Sequence, residues 1–118
     1  MESKSLLIAK NFLGKEVEVI VDRPIGSRHP KYDFVYPVNY GYIKNVIAPD
    51  GENLDAYFLG TDQSLKSGSG KCIAIVHRLN DDDDKLVVVP SGVNMTKEEI
   101  LEAVSFQEKW FEYEIIAQ

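Results

Sequence analysis

The stretch from Lys71 to Val89 constrains this chain's fold more than any other. Cys72-Ile73-Ala74-Ile75-Val76 is one apolar run, Leu86-Val87-Val88-Val89 is another, and Asn80 with four consecutive aspartates separates them. Such short apolar runs bounded by polar turn residues read as strands. The spacing predicts a buried strand over 71–79, a polar turn over 80–84 and a returning strand over 85–89, together a hairpin.

The segments before it read the same way. Lys15-Glu16-Val17-Glu18-Val19-Ile20-Val21 begins by alternating charged and apolar residues, as a half-buried strand does. Residues 23–30 hold two prolines and a glycine and read as a loop. Residues 40–47 and 55–59 read as strands, with turn chemistry at Pro49-Asp50-Gly51. Ser67-Gly68-Ser69-Gly70 reads as a flexible turn. The end of the chain differs. Thr96-x-x-Glu99 is a capping box, and Ile100, Leu101, Val104, Phe111 and Ile115 follow at roughly helical spacing, with Trp110 nearby. The expectation is a mainly β fold with one C-terminal helix, a single domain over 1–118, its short strands closed into a small barrel that hides their apolar faces.

Charge narrows the function. With 19 acidic and 13 basic residues the formal charge is -6, which opposes a general nucleic-acid binder. An anionic substrate stays open, because a bound divalent cation inverts the local field. The one cysteine, Cys72, sits in an apolar run and reads as a small core residue. Leu6-Leu7-Ile8-Ala9 is too short for a signal-peptide core, and no run approaches a membrane span. The expectation is a soluble cytoplasmic protein with no membrane partner.

The chemistry-bearing residues are acidic. Asp50, Glu52 and Asp55 fall at i, i+2 and i+5 behind an apolar stretch, and Asp81 to Asp84 end in Lys85. Crowded carboxylates need cations or solvent, so a metal site and a solvated acidic turn are the two readings. In an extended loop Asp81 and Asp83 would point one way and Asp82 and Asp84 the other, two of them toward a metal and two toward water. Tyr32, Tyr36, Tyr40, Tyr42 and Tyr57 form a dense set suited to packing or to donating toward phosphate oxygens. His77, in an apolar strand, reads as structural. No phosphate-binding glycine loop, nucleophile elbow or Cys-x-x-Cys appears.

The ordered set of Tyr36-Pro37-Val38-Asn39-Tyr40-Gly41-Tyr42-Ile43, Asp50-Gly51-Glu52-Asn53-Leu54-Asp55 and Asp81 to Lys85 with Leu86-Val87-Val88-Val89-Pro90 resembles the soluble family I inorganic pyrophosphatases. The resemblance implies an OB-like five-stranded β-barrel with flanking helices. It implies metal-binding roles for Asp50, Asp55, Asp81 and Asp83, with Mg²⁺ as the cofactor and Mn²⁺ as its substitute. It further implies that Glu52 holds and deprotonates the attacking water, that Tyr40 stands beside that water, and that Lys31, Lys85 and Asp22 face the substrate. Several features depart from the family: Glu52 stands where the family has an aspartate one carbon shorter, and the chain is shorter than typical members. A phosphate-binding arginine between Lys31 and Tyr36 has no counterpart, and Trp110-Phe111 replaces a C-terminal Tyr-Lys pair. Arg23, Arg28 and Arg78 are candidates for the missing charge.

The leading expectation is therefore Mg²⁺-dependent hydrolysis of pyrophosphate or a related phosphoanhydride at the barrel mouth. A barrel that binds metal, nucleotide or protein without turnover is the alternative, and single-stranded nucleic-acid binding is a third reading opposed by the charge. Larger relatives assemble, so a homo-oligomer is open.

Overall fold

The computed structural model describes residues 3–118. Among these, six strands and two helices follow one another along the chain: α1 (Lys4–Lys10), β1 (Glu16–Arg23), β2 (Asn39–Ile47), β3 (Asn53–Phe58), β4 (Ser67–Arg78), β5 (Lys85–Val89), α2 (Lys97–Glu108) and β6 (Tyr113–Ala117). The sheet order β1-β2-β3-β5-β4 returns to β1, because Glu16 to Ile20 pair with Lys71 to Ser67, so five strands close into a barrel. β6 is added outside the closed ring, antiparallel to β4 from Ala74↔Ala117 to Arg78↔Tyr113. β3 and β5 pair in parallel, and the other pairs are antiparallel.

Period-2 alternation sorts the strand residues onto two faces. Val19, Val21, Ile43, Leu54, Ala56, Phe58, Cys72, Ile75, Leu86 and Val88 fill the interior, closed at one end by Leu6 and Ala9 of α1. Tyr57, Leu59, Ala74, Val76, Val87 and Val89 face outward and are covered by Ile100 and Val104 of α2 and Ile115 of β6. This second apolar layer explains why β4 and β5 read as nearly unbroken apolar runs: both of their faces are buried.

Two sequence expectations give way here. Ser67-Gly68-Ser69-Gly70 is not a turn but the first third of β4, and the barrel closes through it. A Cβ on Gly70 would lie 2.0 Å from the Val89 carbonyl oxygen, and one on Gly68 would lie 2.7 Å from the Phe58 ring. The glycines let strands approach where the barrel bends, rather than loosening a loop. The C-terminal helix also stops earlier than its apolar spacing suggested. Its capping box forms as read, with Glu99 N–H donating to Thr96 Oγ1 and Thr96 N–H to Glu99 Oε1. Beyond Glu108, however, the chain turns, and Ile115 lies in β6, where β-branched residues find an unpaired edge of β4. α1, over the segment weighed only as a signal core, is an additional helix capped by Ser3.

Candidate active site on the outer barrel wall

The acidic and basic side chains gather not at the mouth of the barrel but on its outer wall, beside the C-terminal end of α2. Alternation dictates this placement. Leu54, Ala56 and Phe58 point inward, so Asp55 and Tyr57 point outward, and Tyr42 and Tyr40 stand directly across from them on β2. Lys85 shares the outward face of β5 with Val87 and Val89, and Arg78 shares that of β4 with Ala74 and Val76.

A chain of charges results. Lys85, 2% exposed, places Nζ 3.0 Å from Asp55 Oδ2 and 3.3 Å from Asp83 Oδ1. The other oxygen of Asp83 lies 3.2 Å from Arg78 Nη1, and Asp81 Oδ2 lies 3.8 Å from the same nitrogen. Arg78 donates through Nε and Nη2 to the two oxygens of Glu108, at 2.8 and 3.2 Å. Glu108 also accepts from the Tyr57 hydroxyl at 2.6 Å. Gln107 ties this network to the 24–38 loop, donating to Tyr57 and accepting from Tyr36.

Titration follows this crowding. Burial holds the Tyr40 hydroxyl well above its ordinary range, and Asp55 and Asp83 add to the effect. Tyr40 thus stays a neutral hydrogen-bond donor. Asp22, at the bulge of β1, has its carboxyl raised mainly by desolvation, with the Asp55 charge adding to it and Arg23 opposing it. Tyr57 is pushed well up by burial and then by Glu108.

Asp22, Tyr40, Asp55, Asp83 and Lys85 are thus brought into one neighbourhood. Asp50 and Glu52 are not tied to it. They occupy the exposed β2–β3 turn, where Asp50 Oδ1 accepts the Glu52 N–H at 2.9 Å, while the Glu52 side chain makes no hydrogen bond or ion pair among the described residues. Asp81 is half exposed at the edge of the network. Lys31 lies exposed on the 24–38 loop, with only its backbone N–H engaged among the described residues, by His29. The four-aspartate turn divides its work differently from a two-to-metal, two-to-water split. Asp82 accepts the Ser5 N–H at the start of α1, and Asp84 is buried, accepting from Arg78 N–H and pairing with His77. His77 is structural, as its strand context suggests.

Glu108 escaped the sequence reading. Its signal was present, since it continues the buried Ile100–Val104 stripe at i+4, where a carboxylate has no place without a partner. Arg78 in an outward position of β4 is that partner. Among the three arginines considered, Arg78 ion-pairs with Glu108, Asp83 and Asp81, while Arg23 acts on Asp22 and Arg28 pairs with the exposed Asp33.

The donor set suits a hard divalent cation, since every candidate ligand is a carboxylate oxygen. Among the described residues no three acidic, histidine or cysteine side chains form a ready cage.

The outer wall of this small closed β-barrel thus carries paired carboxylates, a buried lysine and a buried arginine. Comparison with known proteins gives the family. Residues 13–113 match the family model of inorganic pyrophosphatase, and the chain belongs to that family. It is 31% identical to the inorganic pyrophosphatase of Streptomyces coelicolor, over 64% of this chain and 59% of that protein. It is 28% identical to that of Rickettsia prowazekii, over 65% of this chain and 57% of the relative. The matches thus span less than two thirds of the relatives' length. The crystal structure of inorganic pyrophosphatase from Ehrlichia chaffeensis shares the fold, with a TM-score of 0.68 at 18% identity, covering 89% of this chain and 87% of that one. No helix among the described residues is long and apolar enough to cross a membrane.

Proposed function

We propose that the chain hydrolyses inorganic pyrophosphate to two phosphates, with Mg²⁺, at the outer-wall cluster. The observation that carries this reading is the alternation of Asp55, Lys85, Asp83 and Arg78 within 3.0–3.3 Å contacts on the one face where the family match and the acidic motifs coincide. Asp55 and Asp83 of the cluster and Asp81 at its edge are the residues to hold the metal, joined by Asp50 of the neighbouring β2–β3 turn. When bound, the metal lowers the pKa of a water and draws charge from phosphate oxygens.

The rest of the chemistry belongs to the chain. Lys85 and Arg78 neutralise charge spreading over the phosphate oxygens, the dominant need in phosphoryl transfer. Both are already desolvated, so their fields act with little solvent screening. Tyr40, held neutral, donates a hydrogen bond toward the attacking oxygen or a phosphate oxygen. Glu52 takes the proton of the attacking water. What supports this role is that its carboxylate is unpaired among the described residues, while Asp55 and Asp83 are engaged by cations. Arg78 supplies the charge that the missing loop arginine leaves open, and Lys31 and Asp22 flank the substrate from β1 and its loop. Phosphate release from pyrophosphate is the test, measured with the purified chain across a Mg²⁺ and Mn²⁺ titration. Metal-dependent turnover is expected. Pyrophosphate-dependent thermal stabilisation without any phosphate release would replace the reading with a binding module.

A further inference from the structure

An aromatic groove opens beside the cluster. Tyr32, Gln107, Trp110 and Phe111 line a hollow of about 400 Å³. It continues through the same Trp110 and Phe111 into a second hollow of about 550 Å³, lined by Arg78, Asn80, Asp81 and Glu112. The two ends differ in chemistry. At the far end Tyr32 and Trp110 are 63% and 62% exposed, their rings 6.4 Å apart and inclined by 24°. Exposed aromatic faces in near-parallel array are platforms for a planar, electron-poor ring. At the near end the Arg78 guanidinium lies 3.7 Å from the Phe111 centroid and also contacts Asp83 of the cluster. Lys109, 4.7 Å from the Trp110 centroid, adds positive charge beside the platform.

We infer that this groove holds the base of a nucleoside 5′-diphosphate whose phosphates lie at the Arg78 end, so that nucleotide anhydrides are substrates of the same site. The inference rests on the pyrophosphate reading and extends it. A bare aromatic patch would serve many occupants. Its near hollow, lined by Asp81 and Glu112 beside a carboxylate-paired Arg78, adjoins the cluster where the proposed function places a metal-bound pyrophosphate, which favours an occupant that is aromatic at one end and carries a diphosphate at the other. In the reaction the water oxygen bonds to the β-phosphorus as its proton passes to Glu52. The bridging oxygen leaves with the bonding electron pair on the α-phosphate, and the products are a nucleoside monophosphate and inorganic phosphate.

Trp110 is the chain's one tryptophan, so its fluorescence reports on the groove. The experiment compares ADP and pyrophosphate, each with Mg²⁺, as substrates and as quenchers, in the wild-type chain and in Trp110→Ala and Tyr32→Ala. ADP should yield AMP and phosphate and should quench Trp110 saturably, whereas pyrophosphate should not quench it. The ratio of kcat/KM for ADP to that for pyrophosphate should fall about 10-fold in either variant, the loss of one stacked base. If pyrophosphate is hydrolysed while ADP neither turns over nor quenches, the inference falls and the proposed function stands. If ADP quenches but neither compound is hydrolysed, the proposed function falls and the groove survives as a nucleotide site. A concentration-dependent dimer that buries Trp110, seen by sedimentation and lost in Trp110→Ala, would assign the patch to a second copy and overturn the inference.

Discussion

Replacing Glu108 by glutamine tests how the network is held together. Glu108 is fully buried and meets Arg78 in two parallel hydrogen bonds, while Arg78 itself is 6% exposed. The amide would keep the shape of the carboxylate and, with its oxygen in the Oε2 place, still accept from Tyr57 and Arg78 Nη2, but its NH2 would face the Arg78 Nε–H, so the change removes the negative charge and one of the two hydrogen bonds opposite a desolvated guanidinium. Breaking a buried pair in this way costs about 3–5 kcal/mol. Stability for a domain of this size is on the order of 5–15 kcal/mol, so the loss is about a fifth or more of the total. At about 4 °C per kcal/mol, the melting temperature should drop by roughly 12–20 °C. Urea unfolding followed by far-ultraviolet circular dichroism measures the difference directly. The double replacement Arg78→Met with Glu108→Leu should recover stability to within about 1 kcal/mol, because apolar residues of similar volume tolerate the site. It should not recover phosphate release, since the guanidinium is gone. A Glu108→Gln protein within about 0.5 kcal/mol of wild type would refute the claim that this pair is desolvated and essential.

Two further substitutions probe the fold and the electrostatics. Gly70→Ala should prevent barrel closure, because its Cβ would sit 2.0 Å from a backbone oxygen that cannot yield without parting β4 from β5; soluble yield and the cooperative unfolding transition report the loss. Asp22→Asn should raise the melting temperature slightly at neutral pH. The folded Asp22 carboxyl titrates above its unfolded value, so its ionisation weakens the fold as pH rises through the folded pKa. Below the unfolded pKa both forms are neutral and the advantage should vanish, which melting curves across acidic pH would show.

How much is legible in the sequence depends on how local the signal is. The β4–β5 hairpin and the Thr96–Glu99 capping box follow from neighbouring residues, and both appear where the sequence puts them. Residues 67–70 mislead because two glycines signal a turn and a close strand crossing equally well; only the Val89 carbonyl and the Phe58 ring distinguish them. Ile115 fits a helical period by accident, and the open edge of β4 draws it into a strand. The location of the cluster is legible in part. Outward alternation at Asp55 and Lys85 is readable, but the second apolar layer that turns the outer wall into a partly buried site needs α2 to dock. Glu108, 30 residues from Arg78 in sequence, is recognisable only as a carboxylate on a buried helical stripe.

The central claim is that Asp55 and its cation partners perform metal-dependent anhydride hydrolysis. Asp55→Asn tests it most directly, because it keeps the side chain's size, leaves Lys85 with Asp83, and removes a charge from a residue that is only partly buried. The account predicts phosphate release from pyrophosphate reduced at least ~100-fold with saturating Mg²⁺, in a protein that still unfolds cooperatively. Unchanged turnover in a folded Asp55→Asn protein would contradict it and move the chemistry elsewhere on the chain.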